Sequence, residues 1–237
     1  MEVNIDIQEV LSEARDAFQN NDFSHALERY EYFFDHALDA DPYSYYGVRL
    51  SYCLNEWAKL GAEYPPALVR LEQKAEESVR LLLQTKTPEY FHDFVSMCRY
   101  LMWVSRPIEQ FLAIHDLDAE LARSIVRFIW RELVSDERWT VCNVYLGNPM
   151  SDYQNCLAKF DRLLEFGANE PQLCDEVFKQ DAMDDCVLDV TNILLVLLHN
   201  HRDAEFAEIN ACLDADMTAR QHNNLPALIR ANFDSAA

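Results

Sequence analysis

The chain has 237 residues, half of them hydrophobic, with only four glycines, eight prolines and a formal net charge of −21. This is enough apolar residue for a sizeable core, whereas Asn-Gly and Asp-Gly turns are absent, which excludes a fold built on tight β-hairpins and points to an all-α class. The charge disfavours nucleic acid and anionic membrane as partners.

Leu11, Ala14, Ala17 and Phe18 share one face and predict a first helix that stops near Asn20-Asn21. Asp22 is a good N-cap for a second, which ends at Asp41-Pro42. Residues 44–61 predict a third helix carrying Val48, Tyr52, Leu54 and Trp57, and Pro65-Pro66 opens a fourth with Leu68, Leu71, Ala75, Val79 and Leu82 at helical spacing. Thr87-Pro88-Glu89 starts a helix to about Val104, and Ser105-Arg106-Pro107 restarts the chain into one through Ile114. Residues 118–134 predict one continuous helix with Arg123, Arg127 and Arg131 on a single stripe.

A helix over 136–146 ends at Gly147-Asn148-Pro149, the expected boundary between a first region, 1–148, and a second, 149–237, continuous with the same stack. Ser151 is expected to cap the next helix, which runs to Phe166-Gly167. A short helix over 171–178, an apolar one over 184–200 and two more over 204–213 and 217–233 complete the series. Connections of roughly 2 to 6 residues suit packed antiparallel neighbours.

Within this series Ala14, Ala17, Phe23, Ala26, Tyr30, Ala37 and Pro42 follow the order of small, aromatic and terminating positions of a tetratricopeptide repeat, with about one extra helical turn after Tyr30. Trp57-x2-Leu60-Gly61-x2-Tyr64 spells the first-helix signature of the same family, just ahead of the helix-ending Pro65-Pro66. Over residues 8–85 the chain resembles a degenerate tetratricopeptide-repeat protein. The resemblance implies an α-α superhelix whose concave face holds an extended peptide or a partner helix. On that reading Tyr43, Tyr45, Tyr46, Arg49, Tyr52 and Asn55 are candidate partner contacts, since tyrosine gives large contact area at small entropy cost. Packing between hairpins is the structural alternative for each of them.

Residues 1–50 carry eleven acids against three bases, and residues 151–200 ten against three. Such skew either keeps a protein soluble or steers a basic partner. A non-enzymatic scaffold that binds a protein segment is therefore the first functional expectation, and an acidic antidote or inhibitor of a basic toxin or nucleic-acid enzyme is the second. The arginine stripe is a candidate anion clamp or the internal partner of the acidic segments.

His199, His201 and Asp203, with Asp181, Asp184, Asp185 and Asp189 upstream, frame a third expectation, a metal-dependent hydrolase. The two histidines point about 200° apart on a helix, so they can face one ion only where the helix ends. Arg29 and His36 loosely resemble the arginine-histidine pair of some all-helical RNases, in acidic surroundings that repel phosphate. Gly-rich phosphate loops, nucleophile elbows and His-Glu-x2-His motifs are absent, and no cofactor is expected. Seven singly spaced cysteines read as small buried hydrophobes in a reducing compartment. The N-terminus lacks a basic start and apolar run, and the apolar run at 193–198 is too short to span a bilayer, so a cytoplasmic protein is expected.

Overall fold

Asp6 accepts a hydrogen bond from the Gln8 amide and Asp22 one from the His25 amide, and each starts a helix: α1 (Ile7–Gln19) and α2 (Phe23–Ala40). The computed structural model to which they belong describes residues 6–170 and 175–234, and every regular element among these is helical. The protein is all-α. Its contacts divide it into two compact units, Met1–Ile129 and Trp130–Ala237.

In the first unit α1 and α2 pack as a hairpin. α1 buries Val10, Leu11, Ala14 and Ala17, and α2 buries Ala26, Tyr30, Phe33, Phe34 and Ala37. Alanine at so many buried positions lets the two backbones approach closely. Asp41 then caps α3 (Pro42–Val48), accepting from the Tyr43 and Ser44 amides, with Pro42 supplying a preset φ in the first turn. This helix runs without a stop through a π-helical turn (Arg49–Cys53) into α4 (Leu54–Glu63).

Tyr64 is extended, and Pro65 opens α5 (Pro65–Thr85). Gly61 faces Leu68 across the α4–α5 crossing so closely that a Cβ there would lie 3.1 Å from the Leu68 Cβ. Trp57, fully buried, donates its indole N–H to the Ala67 carbonyl at 2.9 Å and pins the same crossing. The unit continues through α6 (Glu89–Tyr100), α7 (Arg106–Leu117) and α8 (Ala119–Ile125).

Several expected boundaries are corrected. The helix from Thr87 ends at Tyr100, because Met102 turns left-handed. Residues 118–134 are not one helix: α8 tightens into a 3-10 turn at Val126–Phe128, Ile129 leaves the helical region at φ −131°, and α9 (Trp130–Ser135) starts afresh. The arginine stripe therefore has no continuous helix to stand on.

The second unit holds α9, α10 (Trp139–Tyr145), α11 (Pro149–Asn169), α12 (Glu176–His199), α13 (Asp203–Ala219) and α14 (Leu225–Asp234). Gly147 and Asn148 connect α10 to α11 inside this unit. Asn148, not Ser151, caps α11; its side chain accepts from the Ser151 amide at 3.1 Å. Of the short helix expected at 171–178, residues 171–174 lie outside the described residues, and Phe178 falls inside α12. α12 buries Val190, Ile193, Leu194, Val196 and Leu197 and touches α9, α10, α11, α13 and α14. Its last third, from Val190 to Leu198, is apolar nearly all round, as expected of the centre of such a unit.

Five helix ends share one device. Asn21, Met102, Glu137, His201 and Gln221 adopt φ between 55° and 64°. The amide after each reaches back five residues, from Asp22 to Ala17, Trp103 to Cys98, Arg138 to Leu133, Arg202 to Leu197 and His222 to Met217, at 2.9–3.0 Å. These are Schellman closures, which satisfy terminal carbonyls. None uses glycine, and a side chain in the left-handed region costs about 1 kcal/mol at each.

Candidate functional site

The segment expected to meet a partner is built from α3 and the π-helical turn. None of the seven residues of α3 is buried. Tyr43 is 96% exposed and Tyr52, in the π turn, 63%. Tyr45 is half-buried, its ring edge-on to Phe33 at 5.8 Å, and Asn55 is half-buried on α4. Tyr46 is also half-buried, with its hydroxyl 2.8 Å from His92 Nδ1.

Arg49 is corrected from a surface contact to a core group. The π turn places Arg49, Leu50 and Cys53 inward. Arg49 is 4% exposed, and its guanidinium meets both carboxylate oxygens of the equally buried Asp93 on α6 and lies 4.4 Å from the centre of the Phe34 ring. A bidentate arginine-carboxylate pair under an aromatic face is held rigidly, so Arg49 fixes α3 from beneath while Tyr43 and Tyr52 stay outside. His92, Asp93 and Phe128 complete this support. They escaped the sequence reading because nothing local marks them: His92 and Asp93 lie 46 and 44 residues from their partners.

The electrostatics follow from burial. Burial pushes the Asp93 carboxyl above the ordinary value, against the pull of Arg49, and raises the Tyr46 hydroxyl as well. His92 stacks on Phe128 at 4.5 Å, and burial with Arg99, Arg49 and Arg127 nearby lowers it to about 4, with Glu89 acting in the opposite sense. A histidine depressed in the folded state contributes stability that is fully present above its unfolded value of 6.5 and is lost as pH falls towards about 4. Asp93, being raised, acts in the opposite sense at the acid end. His92→Asn, which keeps an acceptor near Nδ1, is therefore expected to flatten the stability profile between those pH values in chemical denaturation; an unchanged slope would show that His92 titrates freely.

The other sequence candidates disperse. Arg127 pairs with Glu89 at 3.5 Å and lies over the Phe128 ring. Arg131 pairs with Asp185 and Asp189, which Lys159 also joins, so this arginine serves the internal docking weighed against an anion clamp. Arg123 is exposed. His199 stacks on Trp139 at 4.3 Å, and His201 is the left-handed residue that closes α12. Among the described residues no group of three His, Cys, Asp or Glu is placed to hold a metal ion. Arg29 pairs with Glu13 and Glu28, and His36 with Asp39.

Burial pushes the thiols of Cys98, Cys142, Cys156 and Cys186 up to about 12, which keeps them protonated and unreactive at neutral pH. No helix among the described residues is long and apolar enough to cross a membrane.

Fold and candidate site together define an all-α protein with a tyrosine-bearing helix held at its surface by a buried ion pair. No family model, no curated protein and no solved structure matches the chain.

Proposed function

We propose that this is a non-enzymatic interaction protein, tetratricopeptide-like over its first helices, which holds a segment of another protein against α3 and the π turn. The observation that carries the reading is the exposure of Tyr43 on α3, a helix none of whose seven residues is buried, and of Tyr52 in the π turn. Exposed tyrosine contributes nothing to a core, but it is among the side chains that most often anchor an interface. The repeat-like reading is supported by the burial of Ala14, Ala17, Ala26 and Ala37 and by the tight Gly61–Leu68 approach beside buried Trp57. The described cysteines are free, which supports a reducing, cytoplasmic setting.

A second reading, an acidic antidote to a basic toxin or nucleic-acid enzyme, is favoured by the net charge of −21 and by a cleft of about 480 Å3 between α1 and α2, lined by Glu13, Asp16 and Asp22 with Arg29. A photo-crosslinking residue at position 43 or 52 is expected to trap a discrete protein that one at exposed position 228 does not. Tyr43→Ala/Tyr52→Ala is expected to reduce its recovery by about tenfold. Recovery unaffected by the double variant would contradict the α3 site, and recovery abolished by high salt alone would favour the antidote reading.

A further inference from the structure

The second unit presents a surface of different character. α11 and α12 pack side by side, and towards the Asn169 end of α11 their open face carries a cleft of about 340 Å3. Leu163, Phe178 and Ala182 form its apolar lining, and Asp181, Asp184 and Asp185 its acidic one. Positions 178, 181, 182 and 185 share one face of α12, so apolar and acidic groups are fixed in register on the same helix. The apolar part extends beyond the cleft: Phe166 is 51% exposed with its ring 6.5 Å from that of Phe178, and Val177 is 67% exposed.

The three carboxylates are not equivalent. Asp185 is neutralised by Arg131 and Lys159. Among the described residues, Asp184 accepts only from the Gln180 side-chain amide and Asp181 has no cation partner. Two uncompensated charges thus stand beside exposed aromatic and aliphatic surface, on a stretch where ten acids face three bases.

We infer that this face of the α11–α12 hairpin is a docking site for a basic, amphipathic segment of another protein, with a lysine or arginine whose stem lies on Leu163 and Phe178 and whose charge reaches Asp181 and Asp184. Long basic side chains match this combination, because their methylenes cover apolar surface while the charged head stays at the rim. A second copy of the chain is the wrong occupant, since it would bring another −21 against the same carboxylates. An anionic lipid surface is repelled for the same reason. The site is independent of the α3 surface and stands whether or not that surface binds.

The test uses the full chain and a labelled synthetic peptide with leucine on one helical face and arginine on the other, followed by fluorescence anisotropy. Saturable binding is expected, weakening as salt rises and falling by about tenfold or more in Asp181→Asn/Asp184→Asn and in Val177→Ser. Asp203→Asn/Glu208→Gln removes the same charge from exposed positions on α13 and is expected to leave binding within about twofold. Equal loss in that control, equal binding of a peptide with glutamate in place of arginine, or no saturable binding would overturn the inference. So would a dimer in sedimentation that Val177→Ser dissociates, because the face would then be covered by a second copy.

Discussion

Asp93→Ala is expected to destabilise the first unit by about 3–5 kcal/mol, the cost typical of leaving one member of a buried ion pair without its counter-charge. Arg49 is almost completely enclosed, and both its terminal nitrogens are committed to Asp93. Its Nε already lacks a hydrogen-bond partner, so no spare acceptor is at hand to take over. Removing both charges is a different change: Arg49→Met with Asp93→Leu is expected to recover most of the loss, because apolar groups of similar volume need no desolvation of ions. Urea denaturation of the three variants separates the cases. A loss below about 1 kcal/mol for Asp93→Ala would mean that the pair is solvated. The double variant should keep the fold yet let α3 shift, since the pair holds that helix over Phe34.

Trp57→Ala is the second large effect, at about 3–5 kcal/mol. The indole is fully buried between α4 and α5, meets Phe34 edge-on at 6.3 Å and donates to the Ala67 carbonyl. Truncation opens a cavity at a crossing that Gly61 makes too close to readjust by sliding. Trp57→Phe keeps most of the volume and loses the hydrogen bond, so about 1–2 kcal/mol is expected. Denaturation midpoints check the order; equal effects of the two substitutions would show that packing of the indole contributes little.

What the sequence discloses about this fold is governed by how local the cause is. The starts of α2 at Asp22 and of α5 at Pro65 rest on a cap and on a ring constraint within a few residues, and both are visible without a structure. The helix ends at Met102 and Gln221 are not. Their Schellman closures use ordinary side chains in the left-handed region, where a reader looks for glycine. The break at Ile129 is equally silent: the 3-10 turn tightens beside the stack of Phe128 on His92, a contact set by α6.

The candidate site divides in the same way. That Tyr43 and Tyr52 are surface groups fits the helical pattern, whereas the inward turn of Arg49 depends on a π-helical residue and on Asp93 far along the chain. The acidic cleft on α12 is hidden from the sequence because separate helices expected over 171–178 and 184–200 leave Asp181 in a connection, apart from Phe178, whereas the two share one helix.

On the proposed function, Tyr43 of α3 and Tyr52 of the π turn hold a protein segment. Calorimetric titration of the segment crosslinked from position 43, prepared as a synthetic peptide, into the full chain and into Tyr43→Ala/Tyr52→Ala tests it most directly. Binding about tenfold weaker in the variant is expected, with unchanged thermal stability, because neither tyrosine is part of the core. Equal affinity for both proteins would contradict it.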